Sequence, residues 1–208
     1  MEKIKKTRST FRKILRGLMF FFGFIIFLLI VGIIYVVIVS KTDPPQVADQ
    51  SSLQLERKDL GNGMYTINGD WFRKSKSGLY EMYVSGEPYQ MGVVNGKLSK
   101  ELVIRQEDAF TEQINKMIPS TFYQHFLKYV IGWFNRKLDK NVSDEYKDEI
   151  YGISASASDN YGYIGSKYQR ILNYHAAHDI GHALQTMALV GCTSFGTWND
   201  QSQDSTMI

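Results

Sequence analysis

From Leu18 to Val39 every residue is apolar, glycine or tyrosine, and no other feature of the chain restricts its folding as much. About 22 residues in a helix rise roughly 33 Å, enough to cross a hydrocarbon core. The sequence therefore predicts a transmembrane helix over 18–39. Ahead of it stand Lys3, Lys5, Lys6, Arg8, Arg12, Lys13 and Arg16 against the single acid Glu2. The positive-inside rule then puts the basic segment 1–17 in the cytoplasm and the rest of a single-pass protein outside, in the periplasm if the cell is bacterial. A cleaved signal peptide would have an apolar region of about 7–15 residues ending in a small-x-small site. Val39, Ser40 and Lys41 match that site poorly, so the helix is read as an uncleaved signal anchor.

The net charge of +3 divides unevenly: the first forty residues carry seven bases and one acid, which leaves the remainder at about −3. With no basic stripe outside the anchor, nucleic-acid binding lacks its electrostatic requirement. Cys192 is the only cysteine, so no internal disulfide can form and a packed core must supply stability. A lone thiol in an oxidising compartment is a liability, which directs attention to its chemistry.

Residues 40–78, with Pro44 and Pro45 near their start, read as a tether and irregular lead-in. A strand is predicted at Leu79–Val84, then a turn at Gly86–Pro88. Met91, Val94, Leu98, Leu102, Phe110, Ile114 and Met117 recur at helical spacing and predict one long amphipathic helix from Tyr89 to Ile118, stopped by Pro119. A second helix, Thr121 to Leu138, is rich in aromatic and aliphatic residues and is expected to be largely buried. A third starts at Ser143, an N-cap followed by Asp144 and Glu145. After a small and polar stretch, Gly152 to Gly165, helix resumes from Ser166 towards Val190 and breaks at Gly191. Residues 79–191 thus form a mainly helical segment, and Cys192 to Trp198 reads as a short strand opening the segment 192–208.

The junction Gly191-Cys192 places a thiol directly after the residue with no side chain, leaving the preceding carbonyl open to attack. In self-processing hydrolases such a thiol attacks that carbonyl, the peptide shifts to a thioester, and water cleaves it. The cut leaves an α-amine on the nucleophile itself; with an ordinary pKa of about 7.7–8.0 it can serve as base for its own thiol. Gly-Cys alone carries little weight, since an isolated cysteine is most often a small buried hydrophobe.

Three blocks carry more: Gly86-Glu87-Pro88-Tyr89-Gln90-Met91-Gly92 with Gly96 beyond it, Glu145 to Ser158, and His182 to Phe195. In order, they resemble landmarks of the acyl-coenzyme A:6-aminopenicillanic acid acyltransferase-like family of autoproteolytic cysteine hydrolases, relatives of the choloylglycine hydrolases, over roughly residues 79–208. The resemblance implies an α+β chain whose soluble part begins an αββα N-terminal-nucleophile fold. It implies Cys192 as the catalytic nucleophile, Gly191-Cys192 as the autoproteolytic site, no cofactor, and an acylated small molecule or acyl donor as substrate, with attack on a linear amide. In that family a second strand follows, usually with a pattern like Gly-Arg-Asn-Phe-Asp, and later asparagines help to bind the oxyanion. The chain ends at Ile208, where that strand would begin. The expectation is a truncated or split precursor, inactive alone, with a separately encoded remainder of the catalytic chain among its partners.

Two rival readings stand beside this one. His175, His178 and His182 share one helix face, and His175 to His182 includes Asp179, so the run His-Asp-Ile-Gly-His resembles the metal doublet of HD-type phosphohydrolases. Those enzymes need further ligands, for which His125, Asp200 and Asp204 are loose candidates, and three ligands on one helix rarely close around zinc without a fourth. The histidines are therefore read first as structural and no metal is assigned. The other rival is a non-enzymatic, membrane-anchored helical interaction protein. Asn141-Val142-Ser143 is a glycosylation triplet of a kind that arises by chance, and Glu112, Glu145 and Glu149 are read as solvated helix faces without a role.

Overall fold

The computed structural model describes residues 2–176. The chain divides into two units, Met1–Ile171 and Leu172–Ile208. Of the second unit, residues 172–176 are described. Expectations placed on Gly191, Cys192, His178, Asp179, His182, Asp200 and Asp204, and on the strand at 192–198, lie outside the described residues.

The fold is α+β, with a four-stranded antiparallel sheet in the order β1-β2-β3-β4. Three of its strands, β1 (Lys58–Gly61), β2 (Met64–Ile67) and β3 (Asp70–Lys74), lie in the region read as a tether and irregular lead-in. That expectation is corrected by turn chemistry. Asn62-Gly63 and Asn68-Gly69 each take positive φ at both residues, the geometry of the two-residue hairpin turn whose twist matches its flanking strands. Ile67 faces Asp70 across the second turn. At the first, Gly61 (φ +81°) absorbs a register shift between Asp59 and Gly61. β4 (Tyr80–Tyr83) falls inside the predicted strand and pairs with β3.

Helix α1 (Glu2–Val39) contains a stretch, Arg12–Val39, long and apolar enough to cross a membrane, with most of its apolar side chains exposed. No regular structure follows until a 3-10 turn at Ser51–Gln54. The chain there is not a free tether, because Lys97 Nζ donates to the carbonyl oxygens of Leu53 and Leu55.

The single long helix expected over Tyr89 to Ile118 is two: α2 (Pro88–Leu98) and α3 (Lys100–Met117), broken at Ser99 (φ −102°, ψ 21°). The Ser99 hydroxyl turns back to the Asn95 carbonyl at 2.7 Å, the local side-chain-to-backbone bond with which serine competes against a continuing helix. Arg57 Nη1 donates to the carbonyls of Lys97 and Leu98 at the end of α2, at 3.3 and 3.4 Å, and forms a two-pronged ion pair with Glu101. Beneath this joint Ile67 and Phe72 of the sheet pack with Val94 and Leu98 of α2, so the sheet is covered on one face by α2.

Helices α4 (Thr121–Phe134), α5 (Asp144–Ser154) and α6 (Lys167–His175) complete the described elements, with a 3-10 turn at Leu138–Asn141 between α4 and α5. Pro119 stands between α3 and α4, as expected of a residue without an N–H to continue the ladder. Ser143 is the N-cap of α5 by position, without a capping bond from its side chain, whereas the Ser166 hydroxyl accepts from the Gln169 N–H at the start of α6. The expectation of a buried second helix is overturned: of α4 only Gly132 is buried, and Phe122 is 83 % exposed.

Candidate functional site

The nucleophile proposed from sequence lies beyond the described residues, but two of the three blocks that carried the resemblance lie within them. These two meet face to face. Gly86 takes φ +124° ahead of Pro88 at the first position of α2, an entry closed to most side chains. Ser85 fixes the approach by donating to the buried carboxylate of Asp70 at 2.9 Å. Along α2, a Cβ on Gly92 would fall far inside 3.0 Å of the Glu149 carbonyl oxygen, and one on Gly96 would lie 2.9 Å from that of Ile153. In return, a Cβ on Gly152 of α5 would run into the Tyr89 carbonyl oxygen. Backbones this close leave room only for hydrogen, so the glycines of both blocks share one physical cause.

The joint is flanked by buried Val93, Ile150 and Ile153 and extends to α6 through tyrosines. The rings of Tyr89 and Tyr151 are 5.3 Å apart and those of Tyr151 and Tyr168 5.9 Å. Burial raises the Tyr89 phenol above its ordinary pKa and pushes that of Tyr168 up to about 12, because loss of water penalises the phenolate. Both hydroxyls therefore stay protonated at neutral pH.

The end of the second block is held by a buried ion pair that sequence reading missed. Glu107 of α3 and Arg170 of α6 are 0 % and 2 % exposed and meet at 2.9 Å. Glu107 Oε2 accepts from the Ser158 N–H at 2.6 Å, while Arg170 donates to the carbonyls of Ser158 and Gly165. Each charge thus has its partner and further polar contacts, the condition under which a buried pair is tolerated. Beside it, Tyr161 donates to the Asp108 carboxylate, a bond that pushes the phenol's pKa up to about 12. Nothing local marks Glu107 or Arg170, because their pairing spans 63 residues. The platform fixes the beginning of α6, the helix that precedes the third block in sequence.

His125 and His175, the two described histidines of the metal reading, lie on α4 and at the end of α6. His125 touches the Tyr163 ring at 5.7 Å and, with Asn115, Pro119, Thr121, Gln124 and Tyr163, lines an open cleft of about 550 Å³. Among the described residues no three His, Cys, Asp or Glu side chains come together as a metal site. A second cavity, of about 210 Å³, lies at the foot of α1 and is bordered by Lys41 and Lys128. Glu112, read as a surface residue, pairs with Lys116, and Asp144 in the first turn of α5 pairs with Lys147.

Comparison with known proteins gives no match to a family model, to a curated protein or to a solved structure. The resemblance to the autoproteolytic cysteine hydrolases rests on the three sequence blocks.

Proposed function

We propose that the chain is the membrane-anchored precursor of an autoproteolytic N-terminal cysteine amidohydrolase or acyltransferase, facing the outside of the cell, with Cys192 as nucleophile. The observation that carries this reading is the Gly191-Cys192 junction within the third block, preceded in order by the other two. The mutual packing of those two blocks through Gly92, Gly96 and Gly152 supports it, since it gives their glycines a common structural purpose.

In the proposed processing, Cys192 Sγ attacks the Gly191 carbonyl carbon and the C–N bond breaks as its nitrogen takes a proton. A thioester and a free α-amine on Cys192 result. Water hydrolyses the thioester, leaving a carboxylate on Gly191 and regenerating the thiol. In turnover the amine accepts the thiol proton, the thiolate attacks the carbonyl of an acylated amine, and the amine leaves protonated. The acyl group then passes to water in a hydrolase or to a second amine in an acyltransferase. Oxyanion donors, each worth about 10²–10³ in rate, are a further requirement of the proposed chemistry.

The basic residues ahead of the apolar stretch of α1 support a cytoplasmic N-terminus. The test of the proposal is scission of the 191–192 bond, lost on Cys192→Ala, in protein expressed from its complete reading frame.

A further inference from the structure

We infer that α4 lies in the lipid–water interface beside the anchor, with its aromatic face inserted among lipid head groups and upper acyl chains. Six of its fourteen residues are Phe, Tyr or Trp and none is acidic. At about 100° per residue, Phe122, Phe126, Tyr129 and Trp133 cluster on one side, and Tyr123, Val130, Phe134 and Leu127 widen the apolar arc to roughly 160°. Phe122, Tyr123, Phe126 and Phe134 are exposed, a contiguous apolar surface that water does not favour. With a length of about 21 Å, α4 is too short to cross a bilayer.

The occupant of this face can be read from what lies behind it. Gly132, on the far side of α4 from the aromatic arc, is pressed against Ser40, where a Cβ would meet the Ser40 carbonyl oxygen. Ser40 directly follows the last residue of α1, and its carbonyl also accepts from Gln169 Nε2 at 2.7 Å. α4 is therefore fastened where the membrane-crossing stretch ends, at the level where tyrosine and tryptophan are enriched in membrane proteins. Lys128, on the Gly132 side of α4, and Arg136, just past its end, hold their cations 5.0 and 4.4 Å from the ring centroids of Tyr129 and Trp133. That arrangement lets the charge reach lipid phosphate while the ring stays in the apolar layer. A helix of this kind sinks about 5–10 Å into the boundary.

The inference rests on α1 crossing the bilayer, and resistance of the full chain to alkaline carbonate extraction reports that separately. With Trp71 and Trp198 changed to Phe, Trp133 is the sole tryptophan. The chain is reconstituted in phosphatidylcholine vesicles with a quarter phosphatidylglycerol, carrying bromines at defined acyl positions. Trp133 emission is expected to be quenched by shallow bromines more than by deep ones, and Phe122→Asp with Phe126→Asp should weaken that quenching while the chain stays carbonate-resistant. If the tryptophan variant does not fold, a spin label on Phe126→Cys in a Cys192→Ala chain reads the same surface, and oxygen should relax it more than a water-soluble nickel chelate does. A carbonate-resistant chain whose Trp133 escapes bromine, or whose label is relaxed mainly by nickel, overturns the inference. So does a face shielded from both reagents, which would mean that protein covers it, either a second copy or another part of this chain.

Discussion

Replacing Gly92 by alanine tests the joint on which the two packed blocks depend. The new methyl would be driven against the Glu149 carbonyl of the facing helix, far inside the 3.0 Å that real Cβ atoms respect. The obstacle is backbone and cannot rotate away, so α2 and α5 must part by about 1 Å or more. A gap of that size forfeits roughly a quarter to a half of the dispersion energy of each contact it opens, and Val93, Ile150 and Ile153 are all buried here. Overpacking of this sort costs typically ~1–3 kcal/mol and sometimes more. Alanine returns about 1 kcal/mol of helix propensity. With backbone against backbone the cost sits at the upper end, for a net loss of about 2–4 kcal/mol. For a soluble part of about 165 residues this lowers Tm by roughly 4–16 °C. The assay is thermal unfolding of the full chain in detergent, followed by near-ultraviolet circular dichroism. Gly162→Ala is the control, since the nearest heavy atom to its Cβ would be 3.9 Å away, and it should stay within about 0.5 kcal/mol of wild type. A Gly92→Ala chain melting at or above wild type would refute the close approach of the two helices.

Further substitutions probe two of the ion pairs. Glu107→Ala strands a buried guanidinium and should cost about 3–5 kcal/mol in denaturant unfolding, whereas Glu107→Leu with Arg170→Met should recover part of the loss; equal stability of the single variant and wild type would show that the pair does not hold the α3–α6 joint. The hydrogen bonds from Arg57 keep the Glu101 carboxyl below its ordinary pKa of 4.5. A depressed carboxylate stabilises the fold above that ordinary value, and the contribution is lost as pH falls through the lower folded-state value. Because Glu101 is largely exposed, the effect is below about 1 kcal/mol and shrinks in salt. Glu101→Gln should therefore flatten the acid side of the stability profile at low ionic strength, and an unchanged profile would show that the pair contributes nothing to it.

Punctuation was the most legible part of the fold. Pro119, Ser143 and Ser166 mark helix boundaries through backbone chemistry that acts within a turn, and the structure has boundaries at each. The Asn-Gly pairs at 62–63 and 68–69 were equally local, yet their strands are only 4–5 residues long and too short for hydrophobic alternation to stand out. Ser99 was hidden because the apolar spacing continues across it; what breaks the helix is a hydroxyl bond to Asn95 and an arginine arriving from residue 57. The spacing of α4 identified an apolar face correctly and its burial wrongly, since periodicity reports that a face is apolar and not whether protein or lipid covers it. The Glu107–Arg170 pair, like the tyrosine contacts from α2 to α6, joins residues far apart in sequence and leaves no local trace. Of the candidate site, the glycines were legible as a motif, while their purpose emerged only when α2 and α5 were seen in contact.

The most direct test of the proposed chemistry is a search for an N-terminal aminothiol in protein made from the complete reading frame and purified from membranes. 2-Cyanobenzothiazole condenses with an amine and a thiol on the same residue, and intact-mass spectrometry of the products locates the adduct. Self-cleavage predicts an unlabelled fragment ending at Gly191 and a labelled fragment beginning at Cys192, both absent from the Cys192→Ala chain. A folded wild-type protein that remains a single uncut chain and takes up no label would contradict it.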